Sequence, residues 1–148
     1  MDDQIQISRL SVLPADLETL RREAGAQGFG FVDRLCADWA SGANAFNRAG
    51  ECLLGASADG ALIGVGGLNV DPYLHRADVG RIRHVYVLGD WRRRGIGRTL
   101  VSRLVDEARA SFREVRLRTD TDEAASFYVQ CGFRPADDAT ASHVLTLA

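Results

Sequence analysis

Lysine is absent from this chain of 148 residues; all 18 basic residues are arginine. That excludes a Walker phosphate-binding loop, whose lysine would have to follow the glycines. Cysteine is scarce: Cys36, Cys52 and Cys131 are scattered, odd in number and never spaced Cys-x-x-Cys. A disulfide framework and a zinc cluster are therefore not expected, no metal is called for, and the three read as small buried hydrophobes. Long apolar runs are missing too. A stretch such as Ala61 to Leu68 falls far short of the ~20 residues that span a bilayer. The opening Met1-Asp2-Asp3 is acidic and no apolar segment follows it, unlike a secretory signal, so a cytoplasmic protein without membrane contact is the expectation. Repeats, low-complexity tracts and Pro/Ser/Gly linkers are also wanting, which with this length predicts one domain over residues 4–148.

What the chain does have is ordinary bulk and an uneven charge. Hydrophobic residues make up 46% and charged residues 26%, enough apolar matter for a packed core. Net charge is only −2, yet residues 81–118 carry 11 arginines against Asp90, Asp106, Glu107 and Glu114. A local excess of +7 inside a chain that is otherwise −9 suits a small anionic ligand better than a nucleic-acid surface.

The hydrophobic period changes along the chain. Alternation over Gln4 to Leu10 predicts a strand. Pro14 suits the first turn of a helix that continues through Leu17 and Leu20, and Phe31, Leu35, Cys36 and Trp39 share one face of a second helix. Cys52 to Ala56 and Ala61 to Val70 flank Ala58-Asp59-Gly60, a hairpin signal, and Arg81 to Val87 predicts a further strand. From Gly95 the period becomes helical again, with Ile96, Leu100, Val101, Leu104, Val105 and Ala108 in one stripe. A strand over Glu114 to Thr119, a helix over Glu123 to Gln130 and a strand over His143 to Leu147 complete the order. The sum is an α/β domain around a central, partly antiparallel sheet.

Chemistry concentrates in the run from His84 to Arg98. A strand ends at Val87, a basic loop follows, and a helix begins at Gly95. The first turn of a helix offers free N–H groups and a positive dipole end, the natural seat of phosphate oxygens. Gly95 and Gly97 let a diphosphate approach the backbone around Ile96, and Arg92, Arg93, Arg94 and Arg98 offer charge-assisted donors. A Rossmann fingerprint does not fit, because no third glycine falls in register.

With Arg92-x-x-Gly95-x-Gly97 between strand and helix, the chain resembles the GNAT-type N-acetyltransferase superfamily, whose signature there is Arg/Gln-x-x-Gly-x-Gly/Ala. A second stretch matches as well: Ala124-Ala125-Ser126-Phe127-Tyr128-Val129-Gln130-Cys131-Gly132-Phe133 follows the family's Ala-x-x-Phe-Tyr-x-x-x-Gly-Phe. The resemblance implies the GNAT fold, a mixed, mostly antiparallel sheet flanked by about four helices. It implies acetyl-CoA as co-substrate, its pyrophosphate in the glycine loop and its pantetheine arm along the backbone of Val85, Tyr86 and Val87. Tyr128 would be the general acid for the CoA sulfur, and a backbone N–H near Val87 would polarise the carbonyl. Family habit also allows a homodimer.

Three positions depart from the family pattern. Gly89 stands where a proline is usual, Thr121 where an asparagine often touches the cofactor, and Arg81 where many members carry a glutamate base. His84 can titrate near neutral pH and is the candidate base; His75, Asp71 and Tyr73 are candidates for the rim. Phe29, Phe31, Trp39 and Phe46 fall in the region expected to form the acceptor pocket. A small-molecule amine is the expected acceptor, a protein amine the other option. A non-catalytic acyl-CoA sensor on the same fold is the competing reading.

Overall fold

The computed structural model describes residues 4–147. The acidic opening Met1-Asp2-Asp3 and Ala148, the last residue of the expected domain, lie outside them. Strands β1 (Ile5–Arg9), β2 (Cys52–Ala58), β3 (Ala61–Val70), β4 (Val79–Val87), β5 (Glu114–Leu117), β6 (Arg134–Pro135) and β7 (His143–Thr146) form one sheet in the order β1-β2-β3-β4-β5-β7-β6. Only β4 and β5 run parallel; every other neighbouring pair is antiparallel. Helices α1 (Leu17–Ala26), α2 (Phe31–Ser41), α3 (Ile96–Ala108) and α4 (Asp122–Gln130) flank it.

Local chemistry explains most boundaries. The β2–β3 hairpin closes through Asp59 and Gly60, both with positive φ (50° and 83°), the backbone of a tight two-residue turn. The first helix starts at Leu17 rather than at Pro14. The Asp16 carboxylate is spent on the Leu62 N–H of β3 at 2.7 Å and caps nothing, so residues 14–16 form only an entry turn. β4 begins at Val79, two residues earlier than its alternation shows, because Val79 and Gly80 already pair with Glu114 and Val115. The strand β6, two residues long, carries no periodic signal at all.

Two apolar layers sandwich the sheet. On one face, Ile96, Leu100, Val101, Leu104, Val105 and Ala108 of α3, all buried as their spacing predicts, pack with Leu54, Leu68, Ile82 and Val115. Truncating a residue such as Leu100 to Ala there would cost about 2–5 kcal/mol. On the other face, Leu17, Leu20 and Ala24 of α1 and Val32 and Leu35 of α2 close over Leu53, Val65 and Tyr86. Of the four residues expected on the inner face of α2, Leu35 is fully buried; Phe31, Cys36 and Trp39 pack at its margin, and Val32 takes the inner place. All three cysteines are free, Cys52 buried and the other two half-buried.

The feature that positions the site is a seam inside the sheet. β4 and β5 are joined only at Val79–Glu114, Gly80–Val115 and Arg81–Arg116. Beyond Arg81 the strands part, so Ile82 to Val87 continue with β3 on one side and no strand on the other.

Candidate active site

The free side of β4 is shaped by a bulge. Val65 pairs with Tyr86 and Gly67 with Arg83, so two steps on β3 face three on β4. The extra residue falls at His84, whose φ of 61° is rare outside glycine. Past the bulge the Leu88 N–H returns to Ile63 of β3 at 2.9 Å. By strand alternation the peptide groups of Val87 therefore point into the seam.

At the end of β4 the chain makes a 3₁₀ turn (Gly89–Trp91), and Arg93 (φ 63°) and Gly95 (φ 79°) take left-handed conformations before α3 begins. No acceptor among the described residues takes the backbone N–H groups of Ile96, Gly97 and Arg98. They form an anion seat at the positive end of a helix of 13 residues. A side chain at Gly95 would find open space, so what that position requires of glycine is its φ. A Cβ on Gly97 would instead stand 3.4 Å from Phe127 of α4, so the two motifs are in contact. Beside the seat is a cavity of about 210 Å³ lined by Ile5, Ile7, Arg94, Gly95, Ile96, Thr99 and Arg103.

This combination, a parted strand pair leading to an unfilled helix N-terminus, accompanies a family-wide match. Residues 17–133 fit the model of the acetyltransferase (GNAT) family. The chain belongs to the GNAT acetyltransferase family. Solved structures agree with that assignment. A presumed acetyltransferase from Exiguobacterium sp. 255-15 shares 27% identity over 97% of this chain and 93% of its own, with a TM-score of 0.86. A presumed acetyltransferase from Salmonella typhimurium, solved with its cofactor acetyl-CoA, shares the fold at 18% identity and TM-score 0.72, over 97% of this chain and 94% of its own. Glucosamine-6-phosphate N-acetyltransferase from Arabidopsis thaliana shares it at 18% identity and TM-score 0.66, over 94% and 97% respectively. GNAT enzymes use acetyl-CoA, and the seam and seat of this chain suit that molecule: unpaired strand backbone for an amide-bearing arm, free N–H groups for a diphosphate.

The arginines of the GNAT loop divide their work. Arg92 points back at its own strand. Its Nε donates to the Val87 carbonyl at 2.9 Å, an Nη donates to Gln27 at 3.1 Å, and its guanidinium lies 5.2 Å from the centre of the Tyr86 ring. It braces the loop rather than reaching outward as a phosphate donor. Arg94 stacks on Trp91 at 4.7 Å, Arg98 donates to the Gln130 carbonyl of α4 at 3.1 Å, and Arg93 is exposed. Thr121 is the N-cap of α4, its hydroxyl accepting from the Ala124 N–H at 3.1 Å.

Tyr128 and His84 lie on opposite faces of the sheet. Tyr128 belongs to the layer of α3 and α4, its ring edge-on to Phe127 (5.0 Å between centroids) and Phe133 (5.8 Å). No hydrogen bond to its hydroxyl occurs among the described residues, and burial raises its pKa above the ordinary phenol value. His84 faces the other layer, edge-on to Phe46 at 6.0 Å. It is only 8% exposed, and neither ring nitrogen has a hydrogen-bond partner. The Phe31 backbone lies near the ring and favours its charged form slightly without meeting hydrogen-bond geometry. Burial first, then the Arg83 and Arg34 cations, push the His84 pKa down to about 4.

Some contacts at the site were invisible in the sequence. Arg81, standing where a glutamate is usual, is itself buried and faces Asp71 at 3.4 Å, a carboxylate with no exposed side-chain surface. Burial lowers the Arg81 pKa, against the pull of Asp71. A carboxylate does stand at the end of β4, but it comes from α1: Glu23 accepts from the Tyr86 hydroxyl at 2.6 Å and from the Gly89 N–H at 3.0 Å. Burial, then the Glu23 bond, push the Tyr86 pKa up to about 12. Nothing in the spacing of Glu23 marks it, since only the fold brings residues 63 apart together. A second cavity, about 340 Å³ and lined by Arg9, Phe46, Arg48 and Glu51 among others, lies along β1 and β2. Its lining residue Phe46 also packs on His84, so this cavity borders the His84 side of the sheet, whereas the parted strands and the free helix N-terminus lie at the other end of β4. Among the described residues no cluster of His, Cys, Asp and Glu could hold a metal, and no helix is long and apolar enough to cross a membrane.

Proposed function

We propose that the protein is an acetyl-CoA-dependent N-acetyltransferase that acetylates a primary amine, with a small molecule as acceptor. The observation that carries this is the alignment of the parted β4–β5 seam with the unfilled N-terminus of α3. Acetyl-CoA supplies an activated thioester; the chain's own groups do the rest. Ile96, Gly97 and Arg98 N–H groups hold the diphosphate, with Arg93 and Arg94 as neighbouring charge. Val85, Tyr86 and Val87 present backbone to the pantetheine arm, and an N–H at Val87 stabilises the negative charge that develops on the carbonyl oxygen. As the amine nitrogen bonds to the carbonyl carbon, the carbon–sulfur bond breaks. Tyr128, held protonated by burial, donates to the departing sulfur. On the opposite face His84 is neutral at pH 7, the form that can accept a proton, and is a weak base as it stands. Separating acid from base across the sheet keeps each proton transfer on its own substrate's side.

Calorimetric titration with acetyl-CoA tests this reading, followed by thiol release in the presence of amines. Saturable binding, lost in Gly95→Asp, which places a carboxylate at the seat and strains a φ of 79°, supports it. Absence of binding to the unaltered protein at millimolar acetyl-CoA would overturn it. Binding without turnover of any amine would favour the sensor reading.

A further inference from the structure

The face of the sheet that carries His84 holds arginines of two kinds, those matched by a carboxylate and those without one. Arg81 and Arg116 are register partners on β4 and β5 and so point to one face, and both are matched: Arg81 by Asp71, Arg116 by Asp138 at 2.8 Å. Arg83, two residues after Arg81, stands on the same face and is only half-buried. Its register partner Gly67 turns the same way, toward Phe46, which would meet a Cβ there at 2.4 Å and which also packs on His84. The exposed Arg34 of α2 and Arg83 both add positive potential at the same imidazole. Among the described residues no carboxylate pairs with Arg83 or Arg34. Asn44 and Asn69, the neutral polar pair nearby, satisfy each other at 3.0 and 2.9 Å.

The buried polar atoms point the same way. Those left without a hydrogen bond among the described residues are both ring nitrogens of His84 and Nε of Arg116, whose contact with Glu114 at 3.7 Å is ionic only. Buried orphans are rare in folded proteins because each forfeits its hydration without a partner in exchange. Arg83, half-buried and without a carboxylate partner, stands on the face of the orphaned imidazole, and the exposed Arg34 adds its charge there; an anion is the group that would complete this set.

We infer that the acceptor amine carries an anionic group, a carboxylate or a phosphate, which docks on Arg83 and Arg34 beside His84. The inference rests on the acetyl-transfer reading and narrows its substrate class. His84 precedes Val87 by three residues on β4, roughly 7–10 Å at about 3.3 Å per residue once the bulge is allowed for. The charge and the amine of the acceptor are separated by about that length, as in a five-carbon ω-amino acid or the phosphate of a four-carbon amino alcohol. The docked anion also offsets the two cations that weaken His84 as a base.

The test uses the full chain saturated with CoA and follows the imidazole resonances of its three histidines by NMR. The probes are 5-aminopentanoate and 4-aminobutyl phosphate, with 5-aminopentanamide and 4-aminobutan-1-ol as partners that lack the anionic group. The expected result is a saturable shift of one histidine pair of resonances with the anions only, its affinity falling at least tenfold in Arg83→Gln/Arg34→Gln. Acetylation assays with the same four amines should show KM for the anionic members rising in that variant while acetyl-CoA affinity is kept, which also shows the variant is folded. Saturation by carboxylate alone or phosphate alone assigns the charged group. Equal response to the amines that lack the anionic group, an unchanged affinity in the variant, or no response at tens of millimolar anion would overturn the inference. Acetyl-CoA affinity is measured separately, so loss of the anion site with acetyl-CoA still bound leaves the transferase reading intact. Anion binding without acetyl-CoA binding does the reverse.

Discussion

The imidazole of His84 ties the stability of the fold to acidity. Its pKa falls from about 6.5 in the unfolded chain to about 4 in the folded one. Below pH 6.5 the unfolded chain binds a proton that the folded chain refuses, so stability falls as pH drops from 6.5 toward 4 and the loss levels off below that. At 1.36 kcal/mol per pKa unit, the loss between pH 7.5 and pH 5 is about 2 kcal/mol. Other groups, such as the Asp138 carboxylate held down to about 2 by its bonds to Thr140 and Arg116, also respond to acid. Urea unfolding of the native chain is therefore set beside that of His84→Gln at each pH. Any constant packing offset cancels in the change of their difference with pH. The difference should move by about 2 kcal/mol against the native chain from pH 7.5 to 5, about 1 M in urea midpoint. A flat difference, or an NMR titration placing His84 near 6.5, would refute the burial argument and remove its role as a neutral imidazole held among cations.

Tyr128→Phe keeps the ring packing on Phe127 and Phe133 and removes only the hydroxyl, so kcat should fall about 100-fold or more with acetyl-CoA affinity unchanged. A stopped assay of thiol release with calorimetry in parallel checks both halves. Gly67→Ala drives a methyl to 2.4 Å from the Phe46 ring and should destabilise the protein by about 1–3 kcal/mol in urea unfolding. Arg81→Met leaves the Asp71 carboxylate buried with only the Tyr73 and Leu74 N–H groups for company and should cost about 3 kcal/mol. Adding Asp71→Asn to that variant should recover much of the loss.

Periodicity and turn chemistry carried most of the architecture. The six-residue stripe of α3 and the Asp59-Gly60 turn are written in local spacing, and both formed where expected. The departures come from long-range spending of side chains. Asp16 serves β3 and not its own helix, Val79 belongs to β4 because β5 pairs with it, and β6 is too short for any pattern. Motif spacing put Gly95 and Gly97 at the start of a helix and Tyr128 within the next one, as the structure has them, but did not show the direction of side chains. Arg92, the first residue of the signature, turned out to brace Val87. The bulge that turns His84 toward Phe46 breaks the alternation from which its face would be read, and Glu23 reaches the end of β4 only through tertiary packing.

The seam also divides the molecule by chain order. β1 to β4 with the first three helices come from residues 5–108, and β5 to β7 with α4 from residues 114–146. Across the sheet these two leaves are stitched by only three register pairs. A ligand laid along Val85 to Val87 would serve as a missing strand and bind one leaf to the other. Its effect should then spread as cooperativity: in the free protein β5–β7 amides exchange through openings smaller than global unfolding, and in the complex the two leaves open together.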